Sequence, residues 1–430
     1  MKKIALGLCV FCMAFGLPFA NGEKEGGGKT KNVEISFMLS QAKWKDVFTD
    51  MAEQIKKDTG YVIEFQVVPD DQYYPLLKTK LTTGEVPDVF MYNVPMNNVD
   101  LNTVNNTVDL GNEPWVSRLS NPNILKDPID GKIYAMPFES SSFFGPVYYN
   151  KKVFRRLNIS ETQPKTYEEF LNVLRKIKKQ GNGVIPVYMC EKDSWTTQVF
   201  TTLGFGVALS DKKEVWNKLL QNKIKWSDVP EFRTILNDFM KIYNEGLVNA
   251  DHLSATYDMA KEAVAEGRAA MLFNGEWALS DIESKYPDAD MGAWIIPFMD
   301  KNLMGTGAYV QGLFIPKRGN VAAAKKLLEI WAQPKYQALY WAAHPGFPGF
   351  KDVDGGAVPK AVDTLVKTYI LTGKYAYQMN DMVPITAPIQ PELWKYYVEM
   401  TAGMKTPEQV LKAWDVLYSD YMKARKEPGF

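Results

Sequence analysis

The chain is poor in cysteine and histidine, with three Cys and two His in 430 residues. That scarcity argues against a multi-ligand Cys/His metal site and against a disulfide-stapled scaffold. It also lacks an excess of either charge, with 50 Lys and Arg against 50 Asp and Glu. A nucleic-acid binder would normally show a basic surplus. Long apolar runs are missing too. The one opening run, 4–20, is broken by Gly16 and Pro18 and falls short of the roughly 20 continuous apolar residues of a membrane span. What the chain has in plenty is aromatic side chains: 11 Trp, 22 Tyr and 22 Phe. A hydrophobic fraction of 46% is ample for a folded core and too high for a disordered chain. The length points to more than one domain, because single cores stop growing at roughly 250–300 residues.

Lys2 and Lys3 ahead of the apolar run, with Ala20-Asn21-Gly22 behind it, read as a secretory signal over 1–22. Cleavage falls after Gly22 or Ala20. Removing that leader leaves 48 basic groups against 50 acidic, a net charge of −2. Cys9 and Cys12 leave with it. They follow Leu8 and Phe11, not the small residue of a lipid-attachment site, so a free secreted protein is favoured over an anchored one. Cys190 then stands alone, reads as an inert thiol, and can form no intrachain disulfide. Residues 23–31, charged and Gly-rich, read as a flexible tether.

Apolar periodicity gives strands at 33–39, 62–68 and 87–92, with helices at 44–57 and 74–81 between them. This alternation implies a parallel sheet covered by helices. A second series follows. Strands are expected at 146–149, 184–189, 269–273, 291–297 and 313–316. Helices are expected at 166–179, where Thr166 and Glu169 suggest a capping box, and at about 194–204, 231–245, 256–266 and 321–332. From about 360 onward the chain reads as mostly helical. The pattern fits an α/β protein with two lobes better than a single sheet.

Several blocks then resemble a known family. Asp130-Gly131-Lys132-Ile133-Tyr134-Ala135-Met136-Pro137 is similar to the Asp-Gly-Lys-x-Tyr-x-x-Pro segment of family 1 extracellular solute-binding proteins, the maltose-binding-protein-like sugar receptors of ABC importers. The resemblance continues in Gly84-Glu85-Val86-Pro87-Asp88-Val89, in Tyr149-Asn150-Lys151 and in Pro164-Lys165-Thr166-Tyr167-Glu168-Glu169-Phe170, where Tyr167 replaces the usual Trp. It extends through Gly267-Arg268-Ala269-Ala270-Met271, Asn274-Gly275-Glu276-Trp277 and Gly312-Leu313-Phe314-Ile315-Pro316-Lys317. The blocks stand in family order over nearly the whole chain. They imply a two-lobed periplasmic-binding-protein-like fold with a hinge and an interlobe cleft. The first lobe would hold 32–138 and 312–354, the second 140–310 and 355–430, with crossings near 138–140, 310–312 and Asp354.

A sugar offers apolar C–H faces and a rim of hydroxyls, so its site needs flat aromatic rings and bidentate polar groups. The resemblance puts Trp277 at the family's sugar-stacking position, an aromatic at Trp195, an acid at Glu139 after Phe138, and a cleft aromatic at Trp394. Strand ends, where open α/β sheets bind ligands, add Trp44 and Asn93. Asp193, Glu276 and Tyr309 complete the candidates. Five have a structural alternative: a core ring for Trp277, a helix-face ring for Trp44, an N-cap for Asp193, a hinge hydrogen bond for Glu139 and a helix-start acid for Glu276. Trp115, Trp216, Trp226, Trp294, Trp331, Trp341 and Trp414 read as packing, and His252 and His344 as surface or loop residues. No Lys or Arg cluster is evident beside the candidate loops, which favours an uncharged ligand. The implied function is capture of a mono- or oligosaccharide, with no metal or cofactor, by a monomeric periplasmic or extracellular receptor that delivers it to ABC permease subunits. The alternatives are a glycosidase, which would need paired carboxylates about 5–9.5 Å apart, and a receptor for a polyol or peptide.

Overall fold

The computed structural model describes residues 32–94, 98–127, 129–139, 144–307 and 310–430. The expected leader and tether lie outside them. Among the described residues the strands are β1 (Val33–Ser40), β2 (Tyr61–Val68), β3 (Val89–Val94), β4 (Ala135–Pro137), β5 (Phe144–Asn150), β6 (Ile185–Val187), β7 (Ala269–Gly275), β8 (Met291–Ile295), β9 (Met304–Thr306), β10 (Val310–Phe314) and β11 (Tyr375–Tyr377). One sheet has the order β2-β1-β3-β10-β4 and the other β6-β7-β5-β8, while β11 and β9 form a small parallel pair.

The first three strands are parallel, as their βαβαβ order requires. β10 joins this sheet from the later part of the chain. It runs antiparallel to β3, with Gln311 opposite Asn93, and antiparallel to β4 on its other side. A strand that returns from the second lobe is free to enter in either direction.

Local chemistry sets the covering helices. Val47–Thr59 buries the stripe Phe48, Met51 and Ile55, and Gly60 ends it with φ 78°. It starts three residues later than expected, because residues 41–43 form a tight turn and Trp44 is extended. The Tyr167–Gln180 helix is capped by Thr166 Oγ1, which accepts from Glu169 N at 3.1 Å. Glu169 in turn accepts from Lys165 N, one residue before the cap, so the expected box is only half formed.

Apolar burial has two main centres. One gathers side chains from Ile35 to Phe138 and from Val310 to Phe350 around the first sheet. The other gathers Val147 to Phe298 and Ala376 to Met422 around one face of the second. A further layer covers that sheet's opposite face with Tyr148, Leu272, Leu279, Val362 and Tyr369. Trp115, Trp216, Trp226, Trp294, Trp331 and Trp414 are all buried in these layers. The segments that pass between the centres lie side by side: Phe138 N donates to Gln311 O at 2.8 Å, and Gly349 N to Phe138 O at 3.3 Å.

Trp226 ties the last long helix to the second core. Its ring meets Trp414 edge-on at 5.8 Å and stacks on Phe232 at 5.5 Å. Asp415 accepts from Trp226 N at 2.7 Å and from Ser227 Oγ at 2.6 Å. Trp226→Ala is expected to cost about 3–5 kcal/mol of stability, measured by urea unfolding. A loss below about 1 kcal/mol would contradict this packing role.

Candidate functional site

The two lobes meet along a seam at the carboxyl ends of the first sheet's parallel strands, where open α/β sheets place ligands. β1 ends at Ser40, and the turn that follows brings Lys43 and Lys45 to the seam. The second lobe contributes the helix Trp277–Lys285, reached from β7 through Glu276. Gly275 makes the position of Trp277 possible. A Cβ there would lie 2.2 Å from the indole ring, so any side chain would push the tryptophan off its seat.

A first cavity, with a volume of about 40 Å³, is lined by Lys43, Lys45, Glu139, Glu276, Trp277, Asp281, Tyr340, Trp341 and His344, among others. The Lys43 ammonium lies 5.7 Å from the centre of the Trp277 ring, close enough for a cation–π contact. Burial pulls the Lys43 ammonium below its ordinary range, against the opposing pull of Glu139. Lys45 is ion-paired to Asp281, with side chains 10% and 6% exposed. Burial would raise the Asp281 carboxyl, but Lys45 and Lys261 outweigh it and hold it below the usual range. Burial, with Lys45 nearby, depresses His344 to about 4, so its ring is neutral at pH 7.

Farther along the seam, Trp195 Nε1 donates to Asp70 Oδ2 at 3.1 Å, and Ala42 N donates to Asp70 Oδ1 at 2.9 Å. This joins the second lobe to the start of the first-lobe helix Asp70–Thr83. A second cavity opens beyond it, lined by Asp70, Asp71, Tyr74, Lys78, Asp193, Trp195, Glu392 and Trp394, among others. A third, between them, is lined by Ala42, Asp70, Asp71, Asp193, Tyr257 and Asp258, among others.

Six of the nine candidates therefore line these cavities: Glu139, Glu276 and Trp277 the first, Asp193, Trp195 and Trp394 the second. Asp193 does not cap its own helix, as its structural alternative had it. Its Oδ2 accepts from Tyr257 N, at the start of another helix, at 2.7 Å. Trp44 takes the packing alternative, edge-on to Phe48 and Phe65 with ring centres 5.9 and 5.2 Å away. Asn93 sits opposite Gln311, which lines the first cavity, and its own Oδ1 is buried without a partner. Tyr309 lies outside the described residues. Trp341, expected as packing, also faces the first cavity.

The absence of a basic cluster is corrected. Lys43 and Lys45 come from a single turn, and Lys261 joins them from the second lobe. Lys43-Trp44-Lys45 directly after a strand end was the available signal. Asp281 was legible as well, one helical turn after Trp277 and so on the same face. Neither histidine is a plain surface residue. His344 packs near Asp281 at 3.6 Å, and His252 Nδ1 lies 2.9 Å from Glu191 Oε2. Burial pushes the Cys190 thiol well above its ordinary value, which agrees with an inert group.

Asp193 gives a pH test. Burial raises its carboxyl to about 6, the Tyr257 N–H opposes this, and Asp70, Asp258 and Asp71 add repulsion. A carboxyl whose folded value exceeds the unfolded one of about 3.9 favours the folded state once protonated, so this group's penalty is present at pH 7 and fades as pH falls below 6. Relative to Asp193→Asn, the wild type is expected to gain thermal stability between pH 7 and pH 5. A difference that stays constant over that window would contradict the assignment.

Residues 41–338 match the family model described as bacterial extracellular solute-binding protein. The multiple sugar-binding protein of Streptococcus mutans is 24% identical over 69% of this chain and 70% of its own length. The melibiose/raffinose/stachyose-binding protein of Bacillus subtilis is 24% identical over 65% of this chain; the chain spans 64% of that relative. Among solved structures, a chitin oligosaccharide binding protein shares the fold with a TM-score of 0.74 at 20% identity, over 91% of this chain and 99% of the other. The matched segment runs from the turn that carries Lys43 to beyond the strand that re-enters the first sheet, and the chain belongs to the bacterial extracellular solute-binding protein family, whose members bind solutes and are not enzymes.

Proposed function

We propose that this protein captures an uncharged mono- or oligosaccharide between its lobes and delivers it to the permease subunits of an ABC importer. One observation carries the reading: the seam brings aromatic faces and hydrogen-bonding carboxylates from both lobes to the same cavities. Trp277, Trp195 and Trp394 supply rings for C–H faces. Glu139, Glu276 and Asp193 supply acceptors for hydroxyls, which bind more strongly once closure excludes water. Tyr74 and Trp341 supply further rings.

Charge supports a neutral ligand. Lys43 and Lys45 in the first cavity face Glu139, Glu276 and Asp281, so no surplus cation awaits an anionic sugar. A sugar ring laid on the Trp277 face beside Lys43 would take the ammonium as a hydroxyl donor or displace it. The relatives' names, which refer to sugars, point the same way.

The lobes are taken as 32–138 with 312–354 and 140–310 with 355–430, hinged where the crossing strands lie side by side. Val310 already pairs with Val94 in the first sheet. Closure is a population shift, because the ligand touches both lobes only when they are together. The protein works as a monomer outside the cytoplasm, in the periplasm or at the cell exterior, free and not lipid-anchored.

Two outcomes test this. A thermal-shift screen of neutral saccharides, from hexoses to tetrasaccharides, is expected to give at least one clear stabilisation, since ligand binding raises stability by mass action. Stabilisation only by peptides or polyols would overturn the sugar assignment. Trp277→Ala is expected to weaken the selected saccharide by about 1–3 kcal/mol, read by calorimetry. Unchanged affinity in a folded variant would remove Trp277 from the site.

A further inference from the structure

The Lys45–Asp281 pair differs from the exposed ion pairs elsewhere on this protein. Its members are 236 positions apart and belong to different lobes. Lys45 follows the first strand of the first sheet, and Asp281 stands on the helix after β7 of the second. Both side chains are nearly buried. Asp281 also faces Lys261 of its own lobe at 3.4 Å, and Lys261 is paired in turn with Asp258 at 2.9 Å. The residue before Asp281 repeats the crossing: Ser280 Oγ donates to Pro345 O at 2.9 Å. Next to Pro345, His344 lies 3.6 Å from the Asp281 carboxylate. Two consecutive residues of one second-lobe helix thus hold two separate first-lobe segments.

We propose that Lys45, Asp281 and the Ser280–Pro345 hydrogen bond form an interlobe latch, built from the protein's own groups, that sets how far the lobes are closed. The role goes beyond saccharide recognition, because these partners satisfy one another and need no ligand to do so. A buried charge that loses its partner is left uncompensated. Opening of the seam, which admits water to that charge, is the direct relief. Lys261 cannot replace Lys45, since its contact with Asp281 stays within one lobe. The pair is shielded from solvent, so added salt screens it weakly.

Small-angle X-ray scattering on the purified, ligand-free full chain tests the latch through the radius of gyration. Lys45→Met and Asp281→Asn are each expected to increase the radius over wild type. Lys261→Met is expected to leave it unchanged, and so is raising NaCl from about 0.05 to 0.5 M, over which the Debye length shortens severalfold. Far-UV circular dichroism checks that each variant is folded. Should Asp281→Asn not fold, Lys45→Met against Lys261→Met decides the matter. A wild-type radius in folded Lys45→Met, or an equal increase in Lys261→Met, would overturn the proposal.

Discussion

The structure depends on how charge is handled where two lobes close on each other. Asp281 is nearly buried between them, and a buried carboxylate is tolerated only with partners. It has Lys45 from the first lobe and Lys261 from the second. The rest of the first cavity follows from that arrangement. The turn after β1 must present Lys45, and in doing so it presents Lys43 to Trp277. Trp277 lies one helical turn before Asp281, so it faces the same seam.

The fold supplies these groups from rigid positions. Strand ends and helix starts carry most of them, and both sheets are backed by well-packed aromatic cores. The aromatic wealth of the sequence therefore has two destinations. Trp216, Trp226, Trp331 and Trp414 hold the lobes together internally. Trp277, Trp195, Trp394 and Trp341 line the space between the lobes, where a ring can meet a sugar's C–H face.

Much of this was legible in the sequence, and the gaps have physical causes. Strand and helix identity followed from apolar periodicity, which reports burial along one element. The ordered motif blocks carried the family and the two-lobed fold. The direction of β10 was not legible, because periodicity does not tell parallel from antiparallel pairing. Trp44 was misplaced by three residues of turn that the helical stripe does not encode. The cations of the seam were missed because Lys45 and Asp281 meet only after the chain has folded across 236 positions. Local spacing reports which face a residue occupies, not what opposes it.

The central claim is that one neutral saccharide is held by both lobes at once. A crystal structure with a saccharide chosen by calorimetry measures this most directly. The account predicts the sugar in the seam, with a ring against Trp277 or Trp394 and hydroxyls bonded to residues of both lobes. A sugar bound to one lobe alone, or on the surface away from the seam, would contradict it.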